Sequence, residues 1–292
     1  FLDQTSELIP AGEMMVNYKD VVRNVMAREK ALYEGHAIAA VAATSASIAK
    51  QALKLIKVDY EVLPHVQDVE AAMQPGAPLL DDGMITMGEV PAPTKASNIC
   101  KKVEILLGDA AAGFKTADVV IEKEYATKAV HQGYIEPHAC IATVSEDGQA
   151  ELWVSTQGHW TVRAHCARLL GWDISKIKVV AAEIGGGFGG KTVVYLEPVA
   201  LALARKSRRP VKMVMTREEV LRATGPTSAA KMWVKSGAKK DGKIVAGEAL
   251  LKFQAGAFGG SPVQPAAMCA FAPYDIANVK VIGYDVVTNT PK

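Results

Sequence analysis

The sequence predicts an α+β chain with mixed sheets, and three observations carry that reading. Residues 1–75 run through an apolar stretch, a helix pattern and an alternating strand pattern, the order of an α/β unit. Residues 76–100 hold Gly76, Pro78, Gly83, Gly88, Pro91 and Pro93 without a sustained apolar period, as a linker does. Residues 101–292 then turn strand-rich, with two helices set among nine strand candidates.

In the first region, Ala39-Ala40-Val41-Ala42-Ala43 is a short apolar run and is expected to be a strand. Ser45 can cap a helix over Ala46 to Ile56, where Ile48, Ala52, Leu55 and Ile56 recur at helical spacing. Lys57-Val58-Asp59-Tyr60-Glu61-Val62 alternates as a half-buried strand does, and Pro64 ends it. Beyond the linker, strands are expected over 102–107, 118–127, 139–145, 150–156, 177–182, 211–215, 229–236, 244–254 and 279–287. One helix is expected from Thr161 to Leu170, stopped by Gly171, and another from Val193 to Arg205, stopped before Pro210.

The bulk properties exclude several function classes. Of 292 residues, 49% are hydrophobic and 22% charged, which is the balance of a folded globular chain rather than a disordered one. With 33 basic and 31 acidic residues the net charge is +2, so no strong field steers nucleic acid or an anionic membrane to the surface. The basic run Arg205-Lys206-Ser207-Arg208-Arg209 reads as a solvated helix end. No stretch reaches the roughly 20 apolar residues of a membrane span. Cys100, Cys140, Cys166 and Cys269 make no C-x-x-C pair, so neither zinc nor an iron–sulfur cluster is indicated, and scattered thiols fit a cytoplasmic chain. Trp153 and Trp160 are read as core residues. His131 and His138 flank Glu136 and invite a metal-site reading, with hydrogen-bonded histidines as the simpler one.

The most informative segment is Val179-Val180-Ala181-Ala182-Glu183-Ile184 followed by Gly185-Gly186-Gly187-Phe188-Gly189-Gly190-Lys191-Thr192. A strand feeds five glycines and then a helix. Glycines let backbone approach a ligand closely, and successive free N–H groups can donate to oxyanions. Gly185, Gly190, Lys191 and Thr192 satisfy the P-loop pattern, and Gly185, Gly187 and Gly190 satisfy G-x-G-x-x-G. The context opposes both. A P-loop protein needs an apolar strand ending in Asp, whereas Val211–Met215 runs into Thr216-Arg217. A dinucleotide fold wants an acidic residue about 20 positions on, where Arg208-Arg209-Pro210 stands. A large aromatic, Phe188, inside the loop suggests a flat surface pressed against a cofactor or substrate.

Ile184 to Lys191 resembles the glycine loop of the xanthine dehydrogenase/aldehyde oxidase family. The resemblance continues through Trp153-Val154-Ser155-Thr156-Gln157, through the segment from Val130 to Ala139 with its Glu136-Pro137-His138, and through Tyr33 to Ala42 with Val58 to Pro64 near the start. It implies an α/β hammerhead-type domain in residues 1–75 and the first part of a molybdopterin-binding domain in 101–292, both incomplete. It implies a molybdenum hydroxylase large subunit that oxidises an aldehyde or an N-heteroaromatic compound with water as the oxygen source. Electrons would pass to iron–sulfur clusters and FAD on partner subunits or on further segments. The cofactor implied is molybdopterin, in its cytosine dinucleotide form, with molybdenum held by the pterin dithiolene rather than by protein ligands.

Residue by residue, Gln157 matches the glutamine whose side chain approaches the apical oxygen of molybdenum. Phe188 matches the loop phenylalanine whose backbone lies at the metal with Gly189, and Gly186 and Gly187 complete the cofactor-binding set. The family's general-base glutamate is expected beyond Lys292, so no catalytic residue is assigned here. Purine hydroxylases carry a glutamate where this chain has Thr192, and an arginine in the stretch aligned with 262–267, where this chain has none. Xanthine is therefore disfavoured, and Thr192 with Phe258, Met268 and Phe271 is expected to admit the less polar substrates. A non-catalytic relative of the same fold and a P-loop nucleotide-binding protein are the alternatives.

Overall fold

The computed structural model describes residues 8–11 and 14–292, with side chains from Asn17 onward. The first residues of the expected hammerhead-type region lie outside the described residues. The chain forms two compact units that interleave in sequence. Residues 1–62 join 131–226 and Pro291, while residues 63–130 join 227–290 and Lys292.

The first unit opens with a hairpin, β1 (Leu8–Ala11) against β2 (Met14–Asn17), and helix α1 (Tyr18–Val25) capped by the Asn17 side chain. Helix α2 (Ala46–Leu53) starts where Ser45 accepts a hydrogen bond from the Ile48 amide at 3.2 Å. The strands expected at 39–43 and 57–62 are not strands. They have no ladder partner among the described residues. The sequence alternation of residues 57–62 marks no buried face, since all six are exposed. Val62 is 86% exposed. Periodicity reports a pleat, whereas a strand also needs a neighbour for its N–H and C=O groups.

The first unit also holds a four-stranded sheet, in the order β7-β6-β5-β8, made from β5 (Ala139–Val144), β6 (Ala150–Val154), β7 (Ile177–Ala181) and β8 (Val211–Val214). β6 and β7 are parallel, and β5 is antiparallel to both neighbours. A parallel pair needs a crossover, supplied by α5 (His159–Leu170). Gly171 ends α5 in the left-handed conformation (φ 66°), a role glycine fills without strain. Helix α6 (Glu197–Ser207) begins with Pro198 in its first turn and ends at Arg208, followed by Pro210. Leu152, Val162, Leu169 and Leu201 are buried together between sheet and helices. Each such side chain contributes about 1.5–3 kcal/mol of burial. Helix α7 (Arg217–Ala223) carries a capping box between Thr216 and Glu219.

Outward positions of β6 explain a correction. Leu152 and Val154 point into the core, so Trp153 points out and is 38% exposed. Trp160, in the first turn of α5, is 69% exposed. Neither is the core residue the sequence suggested.

The second unit contains α3 (Val69–Ala72), β3 (Ile99–Leu107), α4 (Ala110–Thr116), β4 (Val119–Thr127), β9 (Ala230–Ala238), β10 (Ile244–Gly256), α8 (Val263–Cys269) and β11 (Val279–Val287). Its sheet runs β3-β11-β10-β9-β4, with β10 and β11 parallel across α8 and the other pairs antiparallel. The segment between α3 and β3 has no helix or strand. Asn98 pins it, accepting from the Leu80 amide and donating to the Ala72 and Pro78 carbonyls. Among the described residues no helix is long and apolar enough to cross a membrane.

Candidate functional site

The parallel strands β6 and β7 end side by side, and both of their C-terminal extensions enter one place. β6 continues as Ser155-Thr156-Gln157 and β7 as the glycine loop. In open sheets with parallel strands this is where ligands gather. Both extensions belong to the first unit.

Gln157 and the loop interlock. The Gln157 side-chain oxygen Oε1 accepts from the Gly189 amide at 2.9 Å and from the Lys191 amide at 3.2 Å. The Gln157 amide donates to the Lys191 carbonyl at 2.9 Å, and the Thr156 hydroxyl donates to the same carbonyl at 3.0 Å. With Oε1 committed to the loop, the Gln157 NH2 group has no partner among the described residues. The amides of Gly186, Gly187 and Phe188 have none either. Three backbone amides and one carboxamide NH2 thus lack a protein partner here, with Gly187 itself buried and Phe188 exposed.

Glycine is required at particular points of this wall. A β-carbon on Gly185 would stand 2.7 Å from Glu136 Cβ, and one on Gly190 2.8 Å from the Tyr134 ring. Phe188 itself takes a left-handed backbone (φ 49°), flanked by Gly186 (φ 94°) and Gly189 (φ 92°). A bulky residue with positive φ is uncommon and costs of order 1 kcal/mol or more. The Phe188 ring is 73% exposed, on the open side of the loop, in keeping with an aromatic surface offered to a ligand.

Beneath the loop lies a polar cluster that sequence reasoning missed. The Lys191 ammonium is fully buried and donates to Glu136 Oε2 at 2.7 Å and to Ser155 Oγ at 2.8 Å, with the Tyr134 ring centroid 5.1 Å away. Glu136 Oε2 also accepts from the Ser155 hydroxyl at 2.7 Å and the Gly185 amide at 2.8 Å. Partial burial pushes the Glu136 carboxyl up, and the hydrogen bonds from Lys191, Ser155 and Gly185 outweigh it, leaving the group below its ordinary range. Nothing in the sequence joins Lys191 to a glutamate 55 positions earlier.

A neutral network continues from there. Tyr134 Oη lies 2.8 Å from His138 Nε2 and 3.0 Å from Thr224 Oγ1, and His131 Nε2 lies 3.0 Å from the same hydroxyl. Thr224 spends its proton on the Val220 carbonyl, so its oxygen must accept from both Tyr134 and His131. Tyr134 in turn accepts from His138, which fixes His138 with its proton on Nε2. Burial, then the Lys191 charge, lowers the His138 pKa to about 4, and burial lowers that of His131. Both histidines are thus held as neutral hydrogen-bonding groups. Among the described residues no three His, Cys, Asp or Glu side chains form a metal-binding group.

The P-loop alternative fails on this geometry. A phosphate-binding lysine must reach the ligand, whereas Lys191 turns away from the loop surface into Glu136 and Ser155. No helix begins directly after Thr192 either, since α6 starts only at Glu197. The expected apolar substrate contacts also change role. Phe258 is buried at 4% exposure, and the Phe271 ring packs against Gly247 of β10, so both serve the core of the second unit, while Met268 is exposed on α8.

The described residues thus bring together, at the end of two parallel strands, loop amides and a carboxamide without protein partners, and no group of metal-ligating side chains. The chain belongs to the xanthine dehydrogenase and aldehyde oxidase family of molybdopterin proteins. The family model for the molybdopterin cofactor-binding domain matches residues 92–292, and that for the aldehyde oxidase and xanthine dehydrogenase a/b hammerhead domain matches residues 5–64. Among relatives, a probable xanthine dehydrogenase component of Bacillus subtilis is 32% identical over 91% of this chain and 34% of its own length. The nicotinate dehydrogenase large molybdopterin subunit of Eubacterium barkeri is 31% identical over 88% of this chain and 58% of its own length. The solved structure of CO dehydrogenase from Oligotropha carboxidovorans superposes with a TM-score of 0.71 at 30% identity, covering 85% of this chain and 32% of that one. The aldehyde oxidoreductase of Desulfovibrio desulfuricans shares the fold, with a TM-score of 0.78 at 24% identity over 88% of this chain and 28% of that one. The chain thus spans from about a third to somewhat over half of the length of the curated relatives named here.

Proposed function

We propose that the glycine loop and Gln157 form the wall against which a molybdenum-bearing pterin is held, within the large subunit of a hydroxylase. The observation that carries this is the set of unpartnered donors, namely Gln157 Nε2 and the amides of Gly186, Gly187 and Phe188. Gly189 takes part by fixing Gln157 Oε1. These groups suit oxo and other oxygen acceptors of the cofactor and offer nothing that would ligate the metal directly. The cofactor, when bound, supplies the redox chemistry of hydroxylation with water as the oxygen source. The chain's own residues bind and orient it. Gln157 aims its NH2 at an oxygen, the loop amides donate to others, and Phe188 covers the face of the site. Donors fixed before the reaction are worth more than donors that must reorganise.

The same reading extends to parts the chain does not itself display. Electrons leave through iron–sulfur and FAD centres on partner subunits or further segments. The general base is a glutamate beyond Lys292, and the pterin carries a cytosine dinucleotide. In chain order, residues 1–75 serve as the hammerhead-type domain, 76–100 as the linker and 101–292 as the cofactor-binding domain. Thr192, where a purine hydroxylase has a glutamate, favours an aldehyde or an N-heteroaromatic substrate over xanthine.

Metal and pterin analysis of the complete enzyme tests the core of this reading. One molybdenum and one pterin per large chain are expected, while a folded complex with no molybdenum would assign a non-catalytic role. Turnover on an aldehyde, nicotinate and xanthine tests the substrate class. Rapid xanthine oxidation with little turnover of the others would refute it.

A further inference from the structure

Of residues 185–192, only Phe188, Lys191 and Thr192 have side chains. Phe188 faces outward, and Thr192 bonds back to the Gly189 carbonyl at 2.9 Å within the loop itself. Lys191 is therefore the one loop side chain tied to the body of the unit. Its tethers converge: the backbone amide and carbonyl hold Gln157, and Nζ holds Glu136 and Ser155. The other end of the loop is tied to the same place, because Gly185 donates to the Glu136 oxygen that Lys191 binds. One carboxylate oxygen thus closes both ends of the loop upon the end of β6.

We propose that Lys191 and Glu136 are positioning residues, whose ion pair, buried on the lysine side and partly exposed on the glutamate side, sets the direction in which Gln157 and the loop amides present their free N–H groups. This rests on the reading of the loop as a cofactor wall. A ligand-binding role for the Lys191 ammonium is excluded by its complete burial. A role limited to general stability does not explain why the tethers fall on Gln157 and on the two ends of the loop. Losing the pair leaves Gln157 Oε1 bound to amides whose own positions are no longer fixed, so the carboxamide samples several directions.

The test compares the complete enzyme as wild type, Lys191→Met, Lys191→Met/Glu136→Gln and Glu136→Gln. The double variant buries no uncompensated charge, so it separates positioning from folding. Glu136→Gln keeps an amide oxygen for Gly185 and Ser155 and serves if Lys191→Met fails to fold. The first readout is hydrogen–deuterium exchange in residues 184–192, which does not depend on cofactor. Exchange of the Gly189 and Lys191 amides is expected to quicken about tenfold in the double variant, with an unchanged melting temperature. The second readout is the Mo(V) electron paramagnetic resonance line shape, expected to become heterogeneous. With it, kcat per molybdenum should fall about a hundredfold at constant KM, as misplacement of about 1 Å can produce. Unchanged exchange and an unchanged spectrum would overturn the proposal. So would parallel losses of melting temperature and molybdenum with a wild-type spectrum for what remains, since these mark a purely structural pair. A wild-type enzyme without molybdenum would refute the cofactor reading alone, and the exchange data would still decide the positioning.

Discussion

A β-carbon added to Gly187 would stand 2.5 Å from Gln157 Oε1, so this glycine and this glutamine share one space in the wall. Swinging the Gln157 side chain away relieves the clash and breaks its bonds to the Gly189 and Lys191 amides. At about 1 kcal/mol each, Gly187→Ala should cost about 2 kcal/mol of stability in the first unit. The denaturant midpoint of the complete enzyme checks this, together with its molybdenum content, which should fall in step. Unaltered stability and metal content would show that the contact is not what shapes the loop.

Gln157→Glu separates holding the loop from presenting a donor. The carboxylate keeps an oxygen for Gly189 and Lys191 but replaces the free NH2 with a second oxygen. Stability should change by less than about 1 kcal/mol, because the loop bonds persist. Turnover per molybdenum should fall about a hundredfold, as when one preorganised donor is removed from an oxyanion site. Steady-state kinetics normalised to metal content decide it, and wild-type kcat would show that the NH2 faces nothing of consequence.

Acid should destabilise the first unit before carboxylates enter their range. Burial holds His138 and His165 at about 4, and neither His165 nitrogen has a hydrogen-bond partner among the described residues. His165 meets the edge of Tyr18, with the Arg168 guanidinium over that ring. The unfolded chain binds these protons near pH 6.5 and the folded one only near 4. Stability is therefore full above about 6.5 and declines as pH falls through that window, by up to about 1.4 kcal/mol per unit for each histidine. Urea melts between about pH 7.5 and 4.5 should show the slope, to which His36 and His131 add in the same direction, and His165→Leu should make it shallower by up to about 1.4 kcal/mol per pH unit. An unchanged slope in the variant would contradict this.

The second unit has its own test in Asp285. This buried carboxylate accepts from the Gly260 amide at 2.8 Å and the Ser261 amide at 3.1 Å, one on each oxygen, and so holds the turn after β10. Asparagine offers one oxygen and would set an NH2 against the other amide. Asp285→Asn should cost about 1–3 kcal/mol and loosen residues 258–262 to hydrogen exchange. Wild-type exchange there would refute the anchoring role.

The strand-rich part of the fold was legible because its signals are local. All nine strands expected beyond residue 101 are present within a few residues, since alternation and turn chemistry mark each one. Gly171 and Ser45 act as the caps their residue types promise. Short helices such as α1, rich in β-branched residues, and α4, with a glycine inside, carry too weak a propensity to show in sequence, and packing forms them instead. The error at 39–43 and 57–62 runs the other way, because pairing is decided by a neighbour that local pattern does not name. In the candidate site, family resemblance brought Gln157 and the loop together in expectation, and the structure places them in contact. The meeting of Glu136, Ser155 and Lys191 was not expected, because it joins three connecting segments far apart in sequence. Trp153 shows the same limit, its side set by the pleat of β6 rather than by its hydrophobicity.

If Gln157 and the free loop amides face an oxygen of the cofactor, the separation between them is directly measurable. A crystal structure of the complete, metal-loaded enzyme gives the distance from Gln157 Nε2 to the nearest cofactor oxygen. A separation of about 2.7–3.2 Å is predicted, with the Oε1 bonds to Gly189 and Lys191 retained. A cofactor bound away from this loop, or a Gln157 amide turned to solvent beside an occupied site, would show that the wall is not where the cofactor is held.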